Sequence, residues 1–461
     1  MSYLKTHTTT APGTPASGSA YYWTNSADGQ LWFTNAAGQN WPVAHFSKDI
    51  EGVAYVDTAN TQGWAGTDVG GWINSAWAYL KSTYGTTTGG AGGFVGGVIQ
   101  VAPGSYSFST PIVVGAQYSS IVLRGSGACG AAPGSGQAQA GTYLNYTPAT
   151  ATTAVTVQGG DFNTGSIILE NLSINGTALG NGATALQVGA TGATNAGATI
   201  RDVSIVGFTN GAVIGTGSAI AYATEFFNVK IQNCTTGFQP ANENIVYFGG
   251  LIGGCTTGIL CGSTATELQC VGTAFDDNTT TSLNIGTSSL HRVTMSACRF
   301  ENPSAGSAIH VIQSTGSLTM QGCNFSDDAG SSSQTGFITI TGGNLYVNGA
   351  WVYSAGRVQT QLINAASPAY VQWNGISIAP GAVSPATTLS NVINSTGAAP
   401  PYLGRIIAAA TTATTTDTIM CSQILPLNTL KVGDTYRCTL MGQQNTTAGS
   451  LTFKVHIGTT G

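Results

Sequence analysis

Ile231-Gln-Asn-Cys234-Thr-Thr-Gly-Phe238 returns as Ile252-Gly-Gly-Cys255-Thr-Thr-Gly-Ile259, the same pattern carried from 234 to 255, a step of 21 residues. Cys298-Arg-Phe300 and Cys323-Asn-Phe325 repeat at a step of 25, as do Phe275 and Phe300, and Phe325 to Val352 is 27. Short apolar runs recur between these markers, among them Val203-Ser204-Ile205, Val229-Lys230-Ile231, Leu251-Ile252 and Val347 to Val352. Repeats of this length, built from brief β-branched runs with tight turns, are coils of a parallel β-helix. Each coil advances by one strand spacing, roughly 4.8 Å, and stacks its inward residues on the coil below. Leucine-rich repeats need a leucine/asparagine signature that is missing, and propeller blades need longer repeats.

Composition agrees. Only 7% of the 461 residues are charged and 64 are glycine. In a stacked architecture each surface position repeats along a ladder, where rows of like charge repel. An apolar fraction of 42% is too high for disorder. A net charge of −5 without a basic run argues against nucleic acid, and no stretch is apolar enough for a membrane span. Nine cysteines, without CxxC pairs or histidines at ligand spacing, read as free, mostly buried thiols in a reducing compartment, with no metal and no cofactor. The N-terminus lacks the apolar core of a signal peptide, so synthesis in the cytosol is expected.

Working outward, the pattern divides the chain at 1–48, 49–395 and 396–461. In the first part Tyr21-Tyr22-Trp23 and Leu31-Trp32-Phe33 flank Asp28-Gly29, a hairpin signal. The second opens on a helix over 68–84, capped by Asp68, with Trp72, Ile73, Ala76, Trp77 and Leu80 on one face. In the third, Thr429 to Leu440 and Ser450 to Ile457 alternate as antiparallel strands do. Two strands are too few to close a sandwich, and the polypeptide is expected to continue past Gly461. The fold class is thus all-β: a right-handed parallel β-helix with a short capping α-helix and small β modules at both ends.

Residues 68–127 resemble the start of the pectate-lyase-like β-helix superfamily, which includes many phage tailspikes. The resemblance rests on the helix Trp72 to Leu80, on Val98 to Tyr106 with its Pro103-Gly104-Ser105-Tyr106 turn, and on Ile121 to Gly127 ending in Gly-x-Gly. Together with the coils it covers about 68–380. It implies a homotrimeric tailspike or tail fibre in a virion tail, assembled in the host bacterial cytoplasm. Residues 1–48 would then dock to phage tail or virion proteins, and the shaft would meet a host surface glycan. A purely structural fibre, and a free polysaccharide lyase or glycoside hydrolase, are the alternatives.

Candidate chemistry lies in an acidic column. Phe275-Asp276-Asp277-Asn278, Phe300-Glu301-Asn302 and Phe325-Ser326-Asp327-Asp328 place acids just after an inward aromatic. Carboxylates on adjacent coils stand roughly 5 Å apart, and two coils apart roughly 9.5 Å, spacings that bracket those of retaining and inverting glycosidases. Asp276, Glu301 and Asp327 are the catalytic candidates, with Asp277 and Asp328 as substrate-binding neighbours. The competing reading is that Asp and Asn here serve tight turns or hold a cation, with Arg292 and Arg299 neutralising the column. Trp351 and Tyr353, with Trp373 beyond them, would line a saccharide groove if outward-facing; their bulk favours packing inward or at an interface. Cys234 with Cys255, Cys298 with Cys323, and Asn171, Asn228, Asn233 and Asn324 read as structural ladders, and nothing marks His291 or His310 as a base.

Overall fold

A computed structural model describes the strands at 21–24, 31–34 and 40–42, then most of residues 49–378, with isolated positions at 16–17 and 37. Within 49–378 it leaves out 51, 85–94, 116–118, 128–140, 149, 159–166, 177–181, 190–193, 216–219, 265, 303–308, 328–336, 355–362, 366–368 and 375–376. The expected module at 396–461 lies outside the described residues. At the N-terminal end Tyr21–Thr24, Leu31–Thr34 and Asn40–Pro42 form a three-stranded antiparallel sheet, with Trp23 opposite Trp32 and Phe33 opposite Trp41. The hairpin signal is realised as a hairpin extended by one strand.

From Val53 onward the chain winds as a right-handed parallel β-helix with three ladders. Ladder A runs from Val53–Val56 to Tyr370–Asn374, ladder B from Gly104–Phe108 to Ser377–Ile378, and ladder C holds ten strands from Ile112–Val114 to Ile363–Ala365. Ile167–Gly176 and Ala198–Val206 turn the corner from A to B without a break and serve both ladders. Gly104–Phe108 is the first strand of ladder B rather than a turn, and the chain bends before it at Ala102-Pro103. The register is the one the repeat implies, with Ile231 opposite Ile252, Thr236 opposite Thr257 and Phe238 opposite Ile259.

The core is a set of stacks. Phe275, Phe300 and Phe325 are buried one above another in ladder B, with ring centroids 4.8 and 5.0 Å apart and planes 9° and 13° from parallel. Such offset pairs add about 0.5–1.5 kcal/mol each beyond the area they bury. His310 is sealed against this stack and lies flat on Phe337 at 5.3 Å.

The helix Val69–Tyr84 packs on the first strands of all three ladders, burying Val69, Ile73, Ala76, Trp77 and Leu80 while Trp72 stays half-buried at the margin. Asp68 caps it: Oδ1 accepts from Gly71 N at 3.0 Å, and Oδ2 accepts from Ser109 N at 2.8 Å and Thr110 N at 3.0 Å. One carboxylate thus ends the helix and pins it to the first coil. Asn74 adds a second pin, donating to Pro111 O and accepting from Val113 N, both at 2.8 Å.

Corners repeat one backbone conformation. At the A-to-B corner Asn171, Asp202, Asn228, Gly249, Gly272, Ala297, Gly322 and Gly349 are all left-handed, at φ between 49° and 68°. A Cβ at Gly249, Gly272 or Gly322 would meet nothing within 4 Å, so the backbone angle, not space, selects glycine there. Ala297, at φ 52°, is the member of this column with neither glycine's freedom nor a side-chain amide or carboxylate to stabilise the turn. Ala297→Gly is expected to raise stability by about 0.5–1 kcal/mol, read as a higher urea midpoint at unchanged slope.

The last outward position of ladder A carries an ion triad. Glu170 lies between Arg124 on the coil below and Arg201 on the coil above, and its carboxylate accepts from Arg124 Nε and Arg201 Nη2. Burial alone would raise the Glu170 carboxyl, but the guanidinium groups of Arg201 and Arg124 hold it below the ordinary value of 4.5. A lowered folded value contributes stability that is present above the unfolded value and lost as pH falls through the folded one. Wild-type melting temperature is therefore expected to fall more steeply from about pH 5 to pH 3 than that of Glu170→Gln; parallel curves would remove Glu170 from the acid response.

Candidate functional site

In ladder B the inward aromatics Phe275, Phe300 and Phe325 force the residues on either side outward, since strand side chains alternate. Two outward columns result. One runs Gly253, Asp276, Glu301, Ser326, Tyr353; the other runs Leu251, Ala274, Arg299, Asn324, Trp351. The register sets Asp276 opposite Glu301. It sets Asp327 opposite Asn302, one place further along, and Asp328 lies outside the described residues. The side chains of Asp327 and Tyr353 are likewise outside them, so these two are placed by register alone.

Arg299 organises the acids. Its Nη2 donates to Asp276 Oδ1 and Oδ2, each at 3.0 Å, and also pairs with the Glu301 carboxylate. All three side chains are partly exposed, Arg299 by half. The shared guanidinium occupies acceptor positions on both carboxylates that a sugar hydroxyl or a water would otherwise use. Arg292, expected beside it, pairs instead with Glu267 at 2.8 Å on the outer face of ladder A.

The run Asp276-Asp277-Asn278 divides into three roles. Asp276 faces out. Asp277 is exposed and left-handed at φ 56°, at the B-to-C corner that Asn233 and Gly254 close on the two coils before. Asn278 folds inward, accepting from Cys255 N at 3.1 Å and donating to Ile252 O at 3.0 Å. Asn171, Asn228 and Asn233 sit at corners too, and Asn228 Nδ2 donates to Asp202 Oδ1 at 2.7 Å.

Trp351 is 41% exposed, which rules out inward packing for this ring. It stands two coils from Arg299 in the same outward column, roughly 9.5 Å along the axis. Trp373 occupies the register position that continues the buried column of Met295, Met320 and Val347. His291 is buried at the corner before ladder A, its Nε2 on Gly262 O at 2.8 Å, and burial lowers its pKa. The cysteines at 234, 255, 261, 270, 298 and 323 are free and buried; burial pushes Cys261 up to about 12 and raises Cys270 as well, so those two thiols are not nucleophiles. Among the described residues no group of three His, Cys, Asp or Glu could hold a metal, and no helix is long and apolar enough to cross a membrane.

Sequence reasoning treated Arg299 as a counter-ion to the column, and the alternation already carried its larger part. It precedes Glu301 by two residues and shares an outward column with Ala274, itself two before Asp276. Arg299→Ala leaves two carboxylates facing each other on adjacent coils. It is expected to cost about 1 kcal/mol at low ionic strength and less in high salt, where screening weakens the repulsion; equal losses at both would deny the coupling.

No family model matches this sequence, and no curated protein matches it significantly. Solved structures share its fold. The full-length tailspike protein 2 of Escherichia coli O157:H7 bacteriophage CAB120 superposes with a TM-score of 0.54 at 14% identity, covering 79% of this chain and 50% of the tailspike. A DFA-IIIase variant from Arthrobacter chlorophenolicus A6 gives 0.53 at 18% identity over 72% of this chain and 86% of its own, and the same variant in complex with DFA-III gives 0.50 at 16% over 72% and 87%. At such identities the likeness is one of architecture: this chain has the right-handed parallel β-helix fold on which a phage tailspike and DFA-IIIase are also built.

Proposed function

We propose that this chain is the tailspike or tail fibre of a bacteriophage and attaches the virion to host cell-surface polysaccharide through the outer face of ladder B. The observation that carries the reading is the exposed Trp351 ring on the same flat, rigid face as the polar cluster of Asp276, Arg299 and Glu301. A pyranose stacks its apolar face on such a ring while its hydroxyls bond charged and amide groups beside it. Register holds these groups at fixed spacings, so little ordering entropy is lost on binding. The fold shared with a phage tailspike supports the virion role. In this reading 1–48 docks to the particle, and three copies associate to cover the flanks of their shafts.

Cleavage is a second reading, favoured by one observation. Asp276 and Glu301 face each other on adjacent coils, at the spacing of a retaining pair. Their common bond to Arg299 favours binding over turnover.

The experiment sets the purified full chain against a panel of bacterial capsular polysaccharides and lipopolysaccharides, recording binding and released oligosaccharide together. Binding to at least one glycan is expected, weakened about tenfold or more by Trp351→Ala at unchanged melting temperature. Release of oligosaccharide that stops in Glu301→Gln would establish the enzyme instead. Retention of full affinity by Trp351→Ala would remove ladder B as the binding face.

A further inference from the structure

Four of the chain's charged and aromatic side chains stand half-exposed in one line on a different face, the outer face of ladder A. Its last outward column includes Tyr55, Arg124, Glu170, Arg201, Phe227 and Phe248 on rising coils. Tyr55 is 42% and Phe248 52% exposed, Arg124 and Arg201 43% and 49%, whereas Glu170 is at 1%. Phe227 leans on Phe248 with centroids 6.1 Å apart.

The column does not require charge for folding, because higher coils fill the same place with Phe227, Phe248 and Val271. A buried carboxylate held by two half-exposed arginines is a poor way to stabilise a position that apolar residues fill elsewhere. What Glu170 does achieve is orientation. It engages Arg124 through Nε and Arg201 through Nη2, holding a half-exposed guanidinium on either side while each keeps further N–H donors that Glu170 does not use. The two side chains start two coils apart, roughly 9.5 Å, and their guanidinium groups converge on the Glu170 carboxylate between them. Glu170 fills the place between the two heads, so one anionic group cannot bridge both from there. Two acidic groups on a chain lying along the axis can, with flanking rings on Phe248 and Tyr55.

We propose that this column is a second saccharide-binding line, selective for acidic polysaccharide whose carboxylate or phosphate groups recur along the chain. It stands on other residues than the ladder B face and does not depend on that reading. The test uses the full chain with three probes: hyaluronan, which carries a uronate on every second sugar, alginate, which carries one on each, and neutral dextran. Binding of hyaluronan and alginate is expected, weakening steeply with added salt, with none for dextran.

Phe248→Ser and Arg201→Gln should each reduce uronate binding about fivefold or more. Replacing Arg124, Glu170 and Arg201 together by leucine should abolish it at near wild-type melting temperature. Equal binding of dextran and uronates, or undiminished uronate binding by the triple variant, overturns the proposal. Should the triple variant fail to fold, undiminished binding by Phe248→Ser and Arg201→Gln overturns it equally. Loss of uronate binding in Trp351→Ala alone would assign the anion to ladder B and remove it from ladder A.

Discussion

Every level of this structure depends on the in-register parallel hydrogen bonding of one coil to the next. It fixes the spacing between coils and obliges like positions to stand on like positions. A side chain is therefore chosen less for its own surroundings than for its tolerance of near-copies above and below. Phenylalanine meets this by stacking, as in the Phe275, Phe300, Phe325 column. Charge meets it only by alternation, and the ion clusters follow that rule: Arg124 under Glu170 under Arg201, Glu267 under Arg292. Asp276 and Glu301 break it, and Arg299 lies across them. The scarcity of charge along the whole chain is the same constraint seen in composition.

Much of the fold was legible because the coils between 231 and 352 keep nearly constant length. The Cys-Thr-Thr-Gly pair aligns two coils, and the Phe-led triplets align three more, in the register the structure adopts. Asp68 as a helix cap followed from residue chemistry, although its second task, holding Ser109 and Thr110, could not be read from sequence distance. The direction of Trp351 was legible in principle. Val352 takes the register position of the buried Phe325, so the residue before it stands in the outward column, and the size of the ring drew the reading the other way.

Other features were hidden for physical reasons. Arg124, Glu170 and Arg201 are separated by 46 and then 31 residues, because connections of unequal length intervene before the regular coils begin. No period links them, and only register does. The acids after the aromatics were hidden differently. Consecutive positions at a corner change face within one residue, so Asp276, Asp277 and Asn278 look equivalent in sequence and are not so in space.

The left-handed corner column has a consequence for how such a shaft changes length. Because each coil turns from A to B through the same local conformation, whether asparagine, aspartate, alanine or glycine supplies it, the corner is a seam at which one coil resembles the next. Duplicating or deleting a whole coil joins two edges that already match, whereas an insertion of a few residues must be carried outward as a loop. Length in this molecule is thus a quantity that gene rearrangement can alter in whole coils, without redesigning the coils that remain.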